Sequence, residues 1–195
     1  MKKRCAWLPL DKKLYVKYHD EQWGVPIWDD AALFEMLVLE GAQAGLNWYT
    51  ILKRRQDYKK AFDNFNPEII AEYDKTKIEE LLQNNGIIRN RLKIISTINN
   101  AKVFLKVKEK FNSFADFIWD FSDGQPIINY WKNISEIPTE TDLSRKMSKE
   151  LKRLGFSFVG PTICYAYMQS FGMVNDHTVN CFRHEEICKI IESKS

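Results

Sequence analysis

Two histidines and two cysteines in this sequence fall into local pairs suited to metal ligation. His177 and Cys181 are four positions apart. On a helix that spacing sets one side chain above the other, so an imidazole and a thiolate could face a single ion. Two ligands do not close a zinc site, which normally takes four. Cys5 and His19 supply a second pair near the other end of the chain. Taken singly, a cysteine reads as a small buried hydrophobe and a histidine as a surface residue. Together the four make a Cys2His2 set, a closed structural type that would tie residue 5 to residue 181.

A second group centres on Glu40. Leu33, Leu37, Glu40 and Ala44 fall on one stripe of a helix that opens at Asp29 and Asp30. A carboxylate on an apolar face is costly unless it is paired or used. Bonding to an arginine or a backbone amide would account for it, and so would a place at the floor of a pocket. Trp7, Tyr18, Trp23 and Trp48 belong to neighbouring short segments. Four such aromatics around one carboxylate would form a cage for a flat ring.

A third device is the turn Gly155-Phe156-Ser157-Phe158-Val159-Gly160, between a helix capped at Asp142 and one opening at Pro161 and Thr162. Glycines at both ends allow close backbone approach, and a helix N-terminus offers amides to an anion. The preceding helix carries Arg145, Lys146, Lys149, Lys152 and Arg153 on its outer face. The phosphate of a nucleic acid is the expected anion.

The elements that must position these residues are all helical. Leu14, Tyr15, Tyr18 and His19 suit a short helix with Asp11 as its N-cap, and Trp48 opens an amphipathic helix with a basic face. Ile94, Ile98, Ala101 and Leu105 mark a long helix, and a helix over residues 162–171, apolar all round, should be the central buried one. Residues 122–139 form the longest non-helical connection, and no strand alternation is sustained enough for a sheet. The predicted class is all-α, with residues 1–195 as one unit.

Composition bounds the rest. The 195 residues are 45% hydrophobic, enough for a sizeable core, and a net charge of +3 is a weak pointer to a polyanion. No apolar run is long enough for a membrane span, and the basic N-terminus turns polar too soon for a signal peptide. Four cysteines without an export signal favour metal binding over a disulfide framework, and their spacing excludes the usual iron–sulfur run. A cytoplasmic protein is expected, and a monomer by default.

The helix, G-x-x-x-x-G turn and buried helix together resemble the helix-hairpin-helix of DNA repair glycosylases, here over about residues 142–173. The fuller pattern resembles the DNA-3-methyladenine glycosylase I family. It is carried by Arg4-Cys5-x-Trp7, Tyr18-His19-Asp20-x-x-Trp23-Gly24-Val25-Pro26, Leu39-Glu40-Gly41-x-Gln43-Ala44-Gly45-Leu46-x-Trp48, Ser135-Glu136-Ile137-Pro138-Thr139, and the hairpin running on to Val174-Asn175-Asp176-His177. These matches cover nearly the whole chain.

The resemblance implies a monofunctional base-excision enzyme that flips 3-methyladenine out of alkylated double-stranded DNA and removes it, leaving an abasic site. It implies one structural zinc ion on Cys5, His19, His177 and Cys181, joining residues 1–24 to 174–195. It implies a base pocket of Glu40, Trp48 and Tyr18, with Trp7 and Trp23 beside them. Glu40 would be the main catalytic carboxylate. Gly155, Phe158, Gly160 and Thr162 would meet the DNA backbone, and Leu46 would fill the gap left by the flipped base. Thr162 stands where strand-cleaving enzymes carry a lysine, which argues against a lyase step. Asp176, the nearest carboxylate after the hairpin, adjoins a zinc ligand and reads mainly as structural. The competing reading is a zinc-stapled DNA-binding module without catalysis, which gives no reason for the Glu40 cage.

Overall fold

The structure is a computed structural model describing residues 2–193; Met1, Lys194 and Ser195 of the expected 1–195 unit lie outside the described residues. It is built around α2 (Asp30–Gln43), in which Leu33, Phe34, Met36, Leu37, Val38, Leu39, Glu40 and Ala42 are all buried. Such all-round burial follows from a sequence apolar on every side, and the helices that α2 packs against include three long ones. These are α3 (Trp48–Ala61), α6 (Arg91–Phe111) and α9 (Pro161–Ser170). The expectation that residues 162–171 form the central buried helix needs correcting. In α9, Ile163, Ala166 and Gln169 are half-exposed at spacings of three, while the other faces are buried.

Short polar side chains set the helix starts. Asp29 accepts the Ala32 amide (2.8 Å) at the head of α2, and Asn47 accepts the Thr50 amide (3.0 Å) at the head of α3. α8 (Asp142–Leu154) is capped by Thr141 rather than Asp142. Thr141 Oγ1 accepts the Ser144 amide, and Ser144 Oγ accepts the Thr141 amide, so each hydroxyl satisfies one exposed donor. Asp142 is instead the first helical residue. α1 (Lys13–Glu21) also starts later than expected: Lys12, not Asp11, precedes it, without a side-chain cap. A turn closed by the Lys12 amide on the Pro9 carbonyl (3.2 Å) launches this helix instead.

The remaining helices are α4 (Pro67–Ala71), α5 (Lys75–Gln83), α7 (Phe114–Trp119) and α10 (Phe182–Glu192). One short pairing interrupts the helical pattern. β1 (Ile127–Ile128) and β2 (Val174–Asn175) lie parallel, with Ile127 opposite Val174. Two residues each are too few to read as strands in the sequence. The pairing nevertheless draws the 122–139 connection against the segment after α9. There the Val179 amide donates to the Trp131 carbonyl at 2.9 Å.

This arrangement also corrects the backbone expected for His177 and Cys181. They do not share a helix. β2 leaves the chain extended at Asn175, a turn closed by the Cys181 amide on the Thr178 carbonyl follows, and α10 begins only at Phe182. Among the described residues, no helix is long and apolar enough to cross a membrane.

Candidate functional site

The four ligand candidates meet in one place. One donor atom from each of Cys5, His19, His177 and Cys181 lies within 4.8 Å of all the others, and all four residues are buried. Cys181 Sγ is 3.6 Å from His19 Nε2 and 3.5 Å from His177 Nδ1, and Cys5 Sγ is 3.5 Å from His177 Nδ1. The outward ring nitrogens have acceptors: His19 Nδ1 lies 2.8 Å from Asp20 Oδ1, and His177 Nε2 lies 3.0 Å from the Trp23 carbonyl. A carbonyl can only accept, so His177 carries its proton on Nε2 and turns a lone pair on Nδ1 inward. Arg4 grips Asp20 through Nε (2.9 Å) and Nη2 (2.7 Å) and so fixes the partner of His19. The contact between the cysteines pushes Cys181 well below a normal thiol and Cys5 above it. Burial lowers His177, which favours the neutral, ligating imidazole. The cluster is therefore chemically suited to a metal ion.

Beside it lies a cavity of about 400 Å3. Trp7, Tyr15, Tyr18 and Trp23 form one wall, Glu40, Gln43 and Trp48 the floor and an adjoining side, and Ala166 and Gln169 of α9 another. Ile134, Ile137 and Pro138 close it from the long connection. The aromatic rings brace one another: Trp7 meets Trp23 edge-on at 5.0 Å between centroids, and Tyr18 meets Trp48 at 5.3 Å. The metal cluster backs this wall, since the Trp23 and His177 rings are 4.6 Å apart and those of Trp7 and His19 are 5.4 Å apart.

Glu40 is 2% exposed, and its Oε2 has no hydrogen-bond partner. Burial pushes its pKa up to about 8, with the nearby Ser170 hydroxyl opposing the shift. Arg55, a cation close enough to act on Tyr18, is already engaged by Glu35 (2.6 Å) and Gln22 (2.5 Å). Trp48 Nε1 is likewise buried without an acceptor. A polar floor left unsatisfied beneath aromatic walls suits a flat ligand that carries hydrogen-bonding groups.

The other predicted residues are placed as follows. Leu46 is 41% exposed on a loop in which Gly45 has φ +75°. Lys93 Nζ donates to the Ala42 (2.8 Å) and Ala44 (2.7 Å) carbonyls, holding that loop at its root. Residues 155–160 join α8 to α9. Gly155 (φ +102°) takes the left-handed conformation that ends α8, and Phe158 (φ +57°) is also left-handed. Asn100 clamps the turn by accepting the Ser157 amide (2.8 Å) and donating to the Ser157 carbonyl (3.0 Å). Gly160 is different: its φ is −64°, and an added Cβ would meet nothing within 4 Å. Neither backbone conformation nor packing demands a glycine there. Thr162 is exposed in the first turn of α9, where amides lack intrahelical partners.

Asp176 is fully buried and saturated. Oδ1 accepts from Asn129 Nδ2 and Trp131 Nε1 (both 2.7 Å), and Oδ2 from the Tyr165 hydroxyl (2.6 Å) and Gln169 Nε2 (2.8 Å). It ties the long connection to α9 and fixes Gln169, a cavity residue. Sequence reasoning missed Gln169, Gln43 and Tyr15 as lining groups. Tyr15 had a readable signal, one helical turn from Tyr18 on the same face. Gln169 had none, because its place depends on Asp176 and the folded connection.

The chain is similar to known proteins over nearly its whole length. A family model for methyladenine glycosylase matches residues 7–184. DNA-3-methyladenine glycosylase 1 of Escherichia coli K12 is 48% identical over 178 residues, covering 91% of this chain and 95% of its own. A crystal structure of 3-methyladenine DNA glycosylase I superposes with TM-score 0.90 at 49% identity, covering 92% of this chain and 98% of that one. A variant of 3-methyladenine DNA glycosylase I in complex with 3-methyladenine superposes at 0.89 with 34% identity, covering 92% and 96% respectively. With the match running from the first cavity tryptophan past the last metal-ligand candidate, the chain belongs to the methyladenine glycosylase family.

Proposed function

We propose that this protein excises 3-methyladenine from alkylated double-stranded DNA by hydrolysis, with Glu40 as the catalytic carboxyl group. The observation that carries this reading is a buried carboxyl with an unpartnered oxygen at the floor of an aromatic cavity of about 400 Å3. Methylation at the minor-groove ring nitrogen gives adenine a positive charge and weakens its bond to the sugar. Recognition is then electrostatic. The empty cavity keeps a proton on Glu40, whose pKa is about 8. A cationic ring restores the carboxylate and is attracted to it, whereas neutral adenine offers no such gain. Trp48 and Tyr18 stack on the electron-poor ring, and Trp7 and Trp23 close the wall.

The step itself is balanced simply. The bond between the base nitrogen and the sugar breaks, and its electron pair leaves with the ring, which becomes neutral 3-methyladenine. Water bonds to the sugar carbon and loses a proton, leaving an abasic site. The Glu40 carboxylate stabilises the positive charge developing on the sugar and can take up that proton. No lysine lines the cavity among the described residues, and Thr162 supplies no amine, which supports a monofunctional enzyme without strand cleavage.

The same reading assigns one structural zinc ion to Cys5, His19, His177 and Cys181. Tetrahedral zinc with ordinary Zn–S and Zn–N bonds places sulfur and nitrogen ligands about 3.6 Å apart. Three of the four sulfur–nitrogen separations here are 3.5, 3.5 and 3.6 Å, and all four ligand atoms lie within 4.8 Å of one another. Four protein ligands leave no position for a substrate, so the ion would brace the fold and the aromatic wall. α8, residues 155–160 and α9 serve as the helix-hairpin-helix that grips the DNA backbone through Gly155, Phe158, Gly160 and Thr162. Leu46 is the wedge. The chain works as a single monomeric unit.

The deciding experiment incubates the protein with methylated duplex and resolves the released bases chromatographically. Selective release of 3-methyladenine, lost in Glu40→Gln, is the expected result. Duplex binding without base release would return the chain to a non-catalytic DNA-binding module.

A further inference from the structure

At the rim of the cavity, two ammonium groups from different segments converge on one ring. Lys12, just before α1, places Nζ 4.8 Å from the Tyr49 centroid, and Lys53 of α3 places its own at 5.2 Å. Tyr49 stacks on Tyr15, with centroids 5.5 Å and planes 19° apart, and Tyr15 is part of the cavity wall. Two like charges near one ring repel, and an exposed cation–π contact offsets this by only about 0.5–1 kcal/mol each. Neighbouring cations have carboxylates: Lys17 pairs with Glu21, Arg55 with Glu35 and Arg4 with Asp20. Among the described residues, Lys12 and Lys53 pair with none. A hollow of about 420 Å3 shares Lys53 and is lined also by Lys17, Lys59 and the Arg55–Glu35 pair.

Their position makes this surplus charge useful. α3 and α9 each pack on α2, and the cavity above Glu40 is lined from both. A nucleotide turned into that cavity brings a phosphate on each side of its sugar. The 155–160 turn and the head of α9 serve the α9 side. We propose that Lys12 and Lys53, seated on Tyr49, form a second backbone site on the α1–α3 side that holds one DNA phosphate beside the flipped nucleotide. This rests on the DNA-glycosylase reading. The stacked Tyr49–Tyr15 pair places this contact next to the cavity wall.

The test uses the full chain and a duplex carrying a tetrahydrofuran abasic analogue, with affinity measured across a NaCl series, and free 3-methyladenine binding as the internal comparison. Each phosphate neutralised contributes about 0.9 to the slope of log affinity against log salt. Lys12→Gln combined with Lys53→Gln should lower the slope by about 0.9 and duplex affinity at 0.1 M salt by about eightfold. Free-base affinity should not change, and Lys12→Arg with Lys53→Arg should keep the slope. An unchanged slope overturns the proposal and makes the pair an ordinary solvated surface. An equal loss of free-base affinity also overturns it, because the effect would then run through the shape of the Tyr15 wall. A wild-type chain that binds 3-methyladenine but no duplex would sink both this site and the DNA reading beneath it.

Discussion

His177 and Trp23 join the metal-ligand cluster to the cavity: Nε2 of the imidazole donates to the Trp23 carbonyl at 3.0 Å, and the two rings meet edge-on at 4.6 Å. The imidazole that turns one nitrogen toward Cys5 and Cys181 uses the other to hold the backbone of an aromatic wall residue.

Metal removal should therefore affect stability and the pocket together. A four-ligand site joining Cys5 to Cys181 acts as a cross-link over a very long loop, which in chain-entropy terms is worth about 4–5 kcal/mol. For a chain of this size that corresponds to a fall in Tm of roughly 10–20 °C. Chelation, or Cys181→Ala, should produce this fall in calorimetry together with a change in tryptophan near-ultraviolet circular dichroism. Retained stability after verified metal loss would exclude a structural role.

Glu40 should destabilise the empty protein as pH rises. Burial raises its pKa from 4.5 to about 8, so the folded state holds this proton more tightly than the unfolded chain does. Its favourable effect is fully present below pH 4.5 and is lost as pH climbs toward 8. Linkage sets the loss at pH 7 on the order of 3 kcal/mol. Glu40→Gln removes this slope, and its Tm at pH 7–8 should equal or exceed that of wild type while base excision falls by at least tenfold. Parallel Tm profiles for the two proteins from pH 5 to 8 would contradict the assignment of the buried titrating group.

The two glycines of the 155–160 turn should separate folding from binding. Gly155→Ala forces a Cβ into φ +102° and should cost about 1–2 kcal/mol in denaturant unfolding, on top of any loss of the DNA contact proposed for this glycine. Gly160→Ala enters open space at an ordinary φ of −64° and should leave stability within about 0.5 kcal/mol. It should instead weaken duplex binding by obstructing close backbone approach. Undiminished duplex affinity in Gly160→Ala would remove that glycine from the DNA interface.

Asp176 should prove costly to replace without being a reacting group. Asp176→Ala strands four donors, on Asn129, Trp131, Tyr165 and Gln169, and should cost about 3–5 kcal/mol. Under strongly stabilising conditions the variant should regain a substantial part of its excision rate. Complete inactivity in a demonstrably folded variant would assign Asp176 a chemical role.

Much of the site was legible in the sequence, though not always through the right backbone. Cys5, His19, His177 and Cys181 do converge, but the four-residue spacing of the second pair comes from an extended exit and a turn, not a helix. Periodicity cannot tell these apart, because both return the side chains to one side. Glu40 stood out as a carboxyl group on an apolar stripe, and burial on α2 bears out that oddity. The walls formed by Ile134, Ile137, Pro138 and Gln169 were not legible as a pocket. They depend on two-residue strands and on one aspartate gathering donors from distant segments, and neither leaves a periodic trace.

The order of the ligands along the chain has a consequence for biosynthesis. Cys5 and His19 leave the ribosome early, but His177 and Cys181 follow only after nearly every helix has been made. During synthesis, a nascent chain holding metal on its first pair alone would keep exchangeable positions open. Closure of a metal site on these four residues would be a late step, locking the segment that bears Trp7 and Trp23 only when His177 and Cys181 become available.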